Sequence, residues 1–449
     1  MERVGLIGEN SIEYIDILLD IWNNGDCAVL IDWRIPYQTA VDMMKEASVS
    51  KCYIEGKILE KTSEEKENNI EFILFKKKNN STELLDDYIY DKYRKNYSRD
   101  EAVVLYSSGT TGTAKGIILS HYAINTNADA IIDYMCPTKD DCIYIAKTLS
   151  HSSTLTGELL IALKTRMKLV ISPVIVPPRY VLNNISKFKV SIICINPTLL
   201  SSYANECKLK KYNLLSLKTI YVSGAILKDK TYNLAHEVFA NVAIYNVYGL
   251  SEAAPRITAQ RVNCCKSNSV GTPIKGIEIA VVDDNGNIVD DGELGVIHVK
   301  TPSRFGGYIS GNEKHISIYQ NWLNTGDVGY FDENTELHIA DRIDDVIIID
   351  SHKIYPSDVE DQIIKNTSIS ECVVAKLENK GNEFIGCLYT GKYKIESNIK
   401  KKLTQALMSY EIPRFFLKCE CIPHTINGKI SISEVIKLLE KALETEIIL

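Results

Sequence analysis

Tyr106-Ser107-Ser108-Gly109-Thr110-Thr111-Gly112-Thr113-Ala114-Lys115-Gly116 puts five Ser/Thr residues, three Gly and one Lys into eleven positions. Gly lets backbone N–H groups turn toward an anion, and hydroxyls and an ammonium add further donors. The stretch therefore suits a polyphosphate clamp. It lies between a strand expected over residues 102–105 and the apolar run 117–119, a setting unlike that of a flexible Ser/Thr/Gly linker. It is not a Walker A loop. Lys115 follows Ala114 instead of Gly, and Gly116 stands where Ser or Thr is required.

Upstream of this loop the chain alternates. Residues 4–7 form a short apolar run, and 12–22 are dense enough in apolar residues for a largely buried helix that stops at Gly25. Residues 27–31 and 52–54 read as strands, with a helix over 38–47 between them. This βαβαβ pattern predicts an α/β fold with parallel strands. Residues 60–95 are rich in Lys, Glu, Asn and Asp and read as a solvated connection with one strand at 70–75. The middle repeats the pattern, with β-rich runs at 190–195, 219–222 and 243–247.

From about Gly276 the pattern changes to alternating strands at 277–282, 294–299 and 337–339. They are split by the hairpin-type turns Asp284-Asn285-Gly286 and Asp291-Gly292. A final α+β unit follows: strands at 346–349, 372–376 and 384–389, and helices at 356–365, 399–410 and 433–443. The fold class expected is α/β: a large N-terminal body of mixed parallel sheets flanked by helices, a small β subdomain, and a small α+β C-terminal lid. The body is expected over residues 1–341 and the final unit over 346–449.

Composition narrows the function classes. The 449 residues carry a net charge of −7, against a mainly electrostatic nucleic-acid binder. At 45% hydrophobic and 24% charged the chain is globular. The acidic first residues lack a signal peptide's basic region, and no stretch approaches a membrane span. Its twelve Cys include no CxxC pair and read as reduced, mostly buried thiols. A cytoplasmic location is expected.

The glycine-rich segment resembles the phosphate loop of the adenylate-forming superfamily: acyl-CoA synthetases, adenylation domains of peptide synthetases, and firefly luciferase. The family form is Tyr-Thr-Ser-Gly-Thr-Thr-Gly-x-Pro-Lys-Gly; here Ser107 replaces Thr and Ala114 replaces Pro. The resemblance implies that Ser107, Ser108, Gly109, Thr110, Thr111, Gly112 and Lys115 handle ATP. Asn246-Val247-Tyr248-Gly249-Leu250-Ser251-Glu252 looks like the family's Tyr-Gly-x-Thr-Glu motif. By that likeness Asn246, Tyr248 and Gly249 belong to the nucleotide site, with Tyr248 facing adenine. Ser251 would contact phosphate, and Glu252 would hold Mg²⁺, which favours hard oxygen ligands. A hydrolase nucleophile elbow is the competing reading of 249–253, but its fifth position is Ala253 and no paired acid and His follow.

Further matches occur in the family's order. Ser223-Gly224-Ala225 resembles the adenine-binding turn, assigning Gly224 and Ala225 to the nucleotide. Asn324-Thr325-Gly326-Asp327 and Asp341-Arg342-Ile343-Asp344-Asp345 resemble the ribose-binding segments, with Asp327 and Arg342 on the hydroxyls. The resemblance also implies a hinge at 342–345, around Asp344, and a mobile lid at 346–449. A carboxylate suits two adjacent hydroxyls because it only accepts. The family usually has Gly where Asp341 stands. Pro423-His424-Thr425-Ile426-Asn427-Gly428-Lys429-Ile430 resembles the C-terminal Pro-x-x-x-x-Gly-Lys-Ile motif and implies that Lys429 is the catalytic lysine. Ser269-Val270-Gly271-Thr272-Pro273 and Gly307-Tyr308 are also in place, and the likeness runs from Val4 to Ile430. Val4–Ile7 matches a strand that members usually reach after a few dozen residues, so a body short at its N-terminus is expected.

The resemblance implies ATP-dependent conversion of a carboxylic acid to an acyl-adenylate, then transfer to the thiol of CoA or of a separate carrier protein. Amino-acid-activating members carry an Asp near the motif that here reads Leu149-Ser150-His151-Ser152-Ser153. None is present, which favours an aryl or fatty acid. His151 falls where members place a His or aromatic gate beside the carboxylate. After the hinge the family has a Ser-Gly or Gly-Gly pair, where this chain has Asp350-Ser351. The alternative is a non-catalytic nucleotide-binding or acyl-adenylate-binding homologue. Retention of Lys115, Glu252, Asp327, Arg342 and Lys429 weighs against it.

Overall fold

The structure is a computed structural model that describes residues 1–59, 70–107, 115–260, 269–310, 318–319, 321–349, 352–379, 382–391, 399–425 and 429–446. The chain forms two compact units. One takes residues 1–280, 298–325 and 335–337; the other takes 281–297, 326–334 and 338–449.

The first unit is built on two sheets. In one, the strand Arg3–Ile7 sits between Cys27–Ile31 and Lys51–Glu55, parallel to both. Glu71–Phe75 extends it on one side, and Glu101–Ser107 on the other, again in parallel. Every residue of Cys27–Ile31 is buried. This is why the segment reads as a continuous apolar run without alternation: both faces of a parallel sheet are covered. The helix Ile12–Asn23 covers one face through Tyr14, Ile15, Leu18, Leu19 and Trp22, and Ser11 caps it by accepting from the Tyr14 N–H. At the edge, Lys115–Ser120 turns back antiparallel on Glu101–Ser107, and Gly307–Tyr308 pairs antiparallel with Lys115–Ser120.

The second sheet has a parallel centre. Lys168–Ile171, Cys142–Ile145, Ile192–Ile195, Thr219–Val222 and Ala243–Gly249 lie side by side in that order. Arg256–Ala259 adds antiparallel to Ala243–Gly249. Apolar faces of the helices Pro178–Phe188, Pro197–Leu209 and Asp229–Val238 close one core over this sheet through Val181, Ile185, Leu200, Tyr203, Tyr232 and Ala235.

In the second unit the turn expected at 284–286 is present. Asp283 accepts from the N–H groups of Asn285 and Asn287, and Gly286 takes a positive φ of 83°. Glu371–Asn379 and Asn382–Thr390 form an antiparallel pair, and Phe415–Lys418 joins in parallel. Helices Pro356–Asn366 and Ile432–Glu446 supply Val359, Ile363, Val435 and Leu439 to the adjoining cores. One helix is shorter than expected. It spans Ile399–Leu403, not 399–410. Beyond Leu403 the chain tightens, with the Ala406 N–H and the Leu407 N–H both bonded to the Leu403 carbonyl, and Pro413 disfavours helix just before it.

Candidate active site

In open α/β sheets, ligands collect beyond the carboxyl ends of parallel strands. Three of the sequence-derived segments leave such ends in one sheet. The 147–151 loop follows Cys142–Ile145, the Ser223-Gly224-Ala225 turn follows Thr219–Val222, and Ser251-Glu252 follows Ala243–Gly249. The last two strands are in register, Tyr221 beside Tyr245 and Val222 beside Asn246, so the 223–225 turn leaves at the level of Asn246. Gly224 has φ +95°, which L side chains rarely adopt, and both it and Ala225 are exposed.

At the same edge Gly249 meets a different demand. A Cβ there would lie 2.0 Å from the Pro255 carbonyl oxygen, so only glycine lets the two backbones approach. That approach bonds the Leu250 N–H to the Pro255 carbonyl at 2.9 Å and starts the short 3-10 turn Ser251–Ala253. Glu252 lies buried within it. Its backbone carbonyl accepts from the Phe305 N–H at 2.8 Å, and its Oε1 accepts from the Tyr308 hydroxyl at 2.8 Å. The pairing of Gly307–Tyr308 with Ile118 and Ile117 fixes Tyr308 there. The same ring lies 5.9 Å from the Lys115 ammonium, which opens the returning strand. One aromatic side chain thus gathers the cation of the glycine-rich segment and the buried carboxylate. Ser107 ends its strand opposite Lys115. Ser108, Gly109, Thr110, Thr111 and Gly112 lie outside the described residues, as do Asp350 and Ser351.

Asn246 turns inward. Its amide donates to the Ser269 carbonyl at 3.0 Å, and its backbone N–H donates to Gln260 Oε1 at 2.8 Å. It is buried and ties the strand to the 269–273 segment. Tyr248 is half-buried on the same strand.

The loop before His151 is clasped by Asn10. Its amide donates to the Lys147 carbonyl at 2.8 Å and its oxygen accepts from the Leu149 N–H at 3.0 Å. His151 stands at the start of the turn Ser152–Thr154, which runs into a π-helix over Leu155–Leu160. Single π turns frequently mark functional sites. This one carries Glu158, fully buried, 3.1 Å from the Lys147 ammonium. Burial pushes the Glu158 carboxyl pKa up, against the pull of Lys147, Arg256 and Thr154.

In the second unit Asp327 is buried and Arg342 half-buried, with Arg342 Nε 3.3 Å from Asp327 Oδ1. The Ile343 N–H bonds the Gly326 carbonyl at 2.8 Å, which draws the two segments together. Asp341 is also committed: its oxygens accept from the Arg342 N–H at 2.9 Å and the Ser357 N–H at 3.0 Å. Lys429 is exposed and is bonded to Thr425. The Thr425 N–H bonds its carbonyl at 2.6 Å, and its own N–H bonds the Thr425 hydroxyl at 3.3 Å.

Two functional candidates escaped sequence reading. Tyr308 was visible only as a Gly-Tyr pair, with no sign that it meets Glu252. Glu158 was hidden in an apolar run, where a single acid reads as a helix's solvated edge.

The fold and this edge define an α/β protein with a ligand site beyond the carboxyl ends of its parallel strands. More particularly, the chain belongs to the AMP-binding enzyme family, whose model matches residues 1–309. It is 28% identical over 364 residues to the 4-coumarate–CoA ligase CCL1 of Humulus lupulus, covering 77% of this chain and 66% of that one. It is also 28% identical over 340 residues to a long-chain-fatty-acid–CoA ligase of Bacillus subtilis, covering 74% and 60%. The matched part thus spans just under two thirds of these relatives' length. Among solved structures, an anthranilate CoA ligase, AuaEII, in complex with anthranoyl-AMP superposes with a TM-score of 0.84 at 21% identity, over 99% of this chain and 88% of that one. The o-succinylbenzoate CoA synthetase of Bacillus subtilis, in complex with ATP and a magnesium ion, gives 0.80 at 21%, over 97% and 89%. These likenesses establish an acyl-CoA-synthetase-like fold.

Proposed function

We infer that the chain activates a carboxylic acid with ATP and passes the acyl group to a thiol. The grouping of Lys115, Tyr308 and Glu252 at one sheet edge carries this reading. A carboxylate oxygen attacks the α-phosphorus, the bond to the β-phosphate breaks, and pyrophosphate leaves. A thiolate then attacks the acyl carbon, and AMP leaves with the shared oxygen. Glu252 would hold Mg²⁺ through a hard carboxylate oxygen, and the ion would offset charge on the phosphates. Among the described residues no cluster of three or more His, Cys, Asp and Glu competes as a metal site.

The chain's own groups divide the work. Lys115 and the hydroxyls of residues 107–111 hold the phosphates, with Ser251 beside them. Gly224, Ala225, Asn246, Tyr248 and Gly249 shape the adenine side, and Asp327 and Arg342 hold the ribose. Lys429, delivered by a lid at 346–449 turning on the 342–345 hinge, stabilises the charge that builds between carboxylate and α-phosphate. One site then serves both half-reactions. His151 stands beside the acid's carboxylate. Aryl and fatty acids are favoured over amino acids, in line with the coumarate, fatty-acid and anthranilate ligases it is similar to. The acceptor is CoA or a separate carrier protein. No helix among the described residues is long and apolar enough to cross a membrane, and a cytoplasmic site of action fits cysteines that lack metal or disulfide spacing.

The test is a panel of aryl, fatty and amino acids incubated with ATP and Mg²⁺, read by mass spectrometry for acyl-AMP, then with CoA against carrier protein. Acyl-AMP from an aryl or fatty acid is expected. ATP binding without any acyl-AMP or pyrophosphate exchange overturns the reading in favour of a non-catalytic homologue.

A further inference from the structure

His151 and the buried Glu158 are linked through two side chains. The Lys147 ammonium lies 3.1 Å from Glu158 Oε1 and donates to Ser153 Oγ at 3.1 Å. Ser153 Oγ lies 3.3 Å from His151 Nδ1. Asn10 holds the backbone of this loop, so the side chains are set against a fixed frame.

The direction of donation along this chain follows from the groups themselves. An ammonium has donors and no acceptor. Ser153 Oγ therefore accepts from Lys147 and has one proton left to give. Among the described residues Lys147 and His151 are the only hydrogen-bond partners of that hydroxyl. His151 Nδ1 is the acceptor for that proton among these partners, which puts the ring's own proton on Nε2. The geometry points to Lys147, Ser153 and Glu158 as positioning residues that lock His151 in the tautomer with its proton on Nε2.

Glu158 has a part that packing does not explain. An apolar residue on the π-helix would fill the same space without the desolvation cost of a buried charge pair. Its carboxylate gives Lys147 a fixed counter-charge inside the protein, so the ammonium stays over Ser153 instead of swinging to solvent. The benefit to the acid rests on the functional reading above. An Nε2–H can donate to a carboxylate oxygen and orient it for attack, while Ser153 engages Nδ1. Fixing the tautomer through the far nitrogen is a general use of histidine's two unlike nitrogens.

The experiment uses the full-length protein with ¹⁵N-labelled histidine, without ATP or any acid, and assigns His151 by its loss in His151→Gln. In the parent protein Nδ1 is expected at the position of an unprotonated ring nitrogen and Nε2 at that of a protonated one. Ser153→Ala and Lys147→Met should each move both signals toward the average of two tautomers, and Ser153→Thr should restore the parent spectrum. Ser153→Ala leaves the ion pair intact, so it reports even if Lys147→Met does not fold. A proton on Nδ1 in the parent, or an unchanged spectrum in Ser153→Ala, overturns the assignment. The spectrum needs no substrate, so its outcome is separate from that of the acid screen.

Discussion

The Tyr308 hydroxyl donates to Glu252 Oε1 across 2.8 Å, joining segments 56 residues apart in the chain. Both side chains are buried, and the phenol ring also faces the Lys115 ammonium. A buried carboxylate that loses a donor keeps its desolvation cost. Hydrogen bonds to charged groups contribute about 2 kcal/mol. Tyr308→Phe is therefore expected to destabilise the first unit by about that amount in a denaturant titration. It should also lower kcat/KM for ATP roughly tenfold through a less well-oriented Glu252. Wild-type ATP kinetics in Tyr308→Phe would show that the bond serves packing alone. Glu252→Gln should keep the Tyr308 bond but remove the charge, and cost far more in pyrophosphate exchange than in stability.

Much of this was legible in the residues. The strand expected at 27–31 and its parallel setting are borne out, and both of its faces are covered. Turn chemistry placed the Asp283–Asn287 reversal because Gly286 and the neighbouring Asx residues dictate it locally. Tyr308 and Glu158 were not legible. What makes Tyr308 matter is an antiparallel pairing with Ile117 some 190 residues earlier, and no local pattern encodes a partner that distant. Glu158 reads as an ordinary helix acid until the fold buries it beside Lys147. Asn246 stands inside a motif, yet its amide bond to the Ser269 carbonyl is a tie that no local pattern encodes.

Asp327 and Arg342 make a second pair, 3.3 Å apart. If the carboxylate accepts from both ribose hydroxyls, an analogue lacking one of them should bind worse to the parent protein. It should bind no worse than ATP to Asp327→Ala. Removing one hydrogen bond to a charged group predicts about a tenfold rise in KM for 2′-deoxy-ATP relative to ATP. That ratio should collapse toward one in the variant. A ratio unchanged by Asp327→Ala would remove the carboxylate from the ribose.

Lys429 is tied to Thr425 through its backbone N–H and carbonyl, so a side-chain substitution leaves those bonds in place. Lys429→Ala should lower acyl-AMP formation about 100-fold or more, the size usual for a lost preorganised charge partner. Thioester formation from supplied acyl-AMP should be spared, because that half-reaction develops no charge on phosphorus. Normal adenylation by this variant would sink the role given to Lys429. A loss of both half-reactions would instead mark a defect of the whole second unit, visible as a lowered melting temperature.

Asp345 follows the Arg342 segment, with its N–H on the Arg342 carbonyl at 3.0 Å. Burial lifts its pKa, and Asp341, Asp344 and Asp327 add to this against Arg342, taking it to about 6. An unfolded aspartate titrates near 4, at about 3.9. The folded state therefore binds more proton than the unfolded one between about pH 4 and 6. The stabilisation that the proton provides is complete below that window and is lost as pH rises through about 6. Above it, the charged carboxylate is a standing cost beside three like charges. Asp345→Asn should accordingly raise the melting temperature at pH 8, with the gain shrinking through pH 6 and gone by about pH 4. The Arg342 partner Asp327 is untouched, so the variant should keep its ATP affinity. A variant less stable than the parent at pH 8 would mean that the ionised Asp345 is held by favourable contacts which outweigh the repulsion.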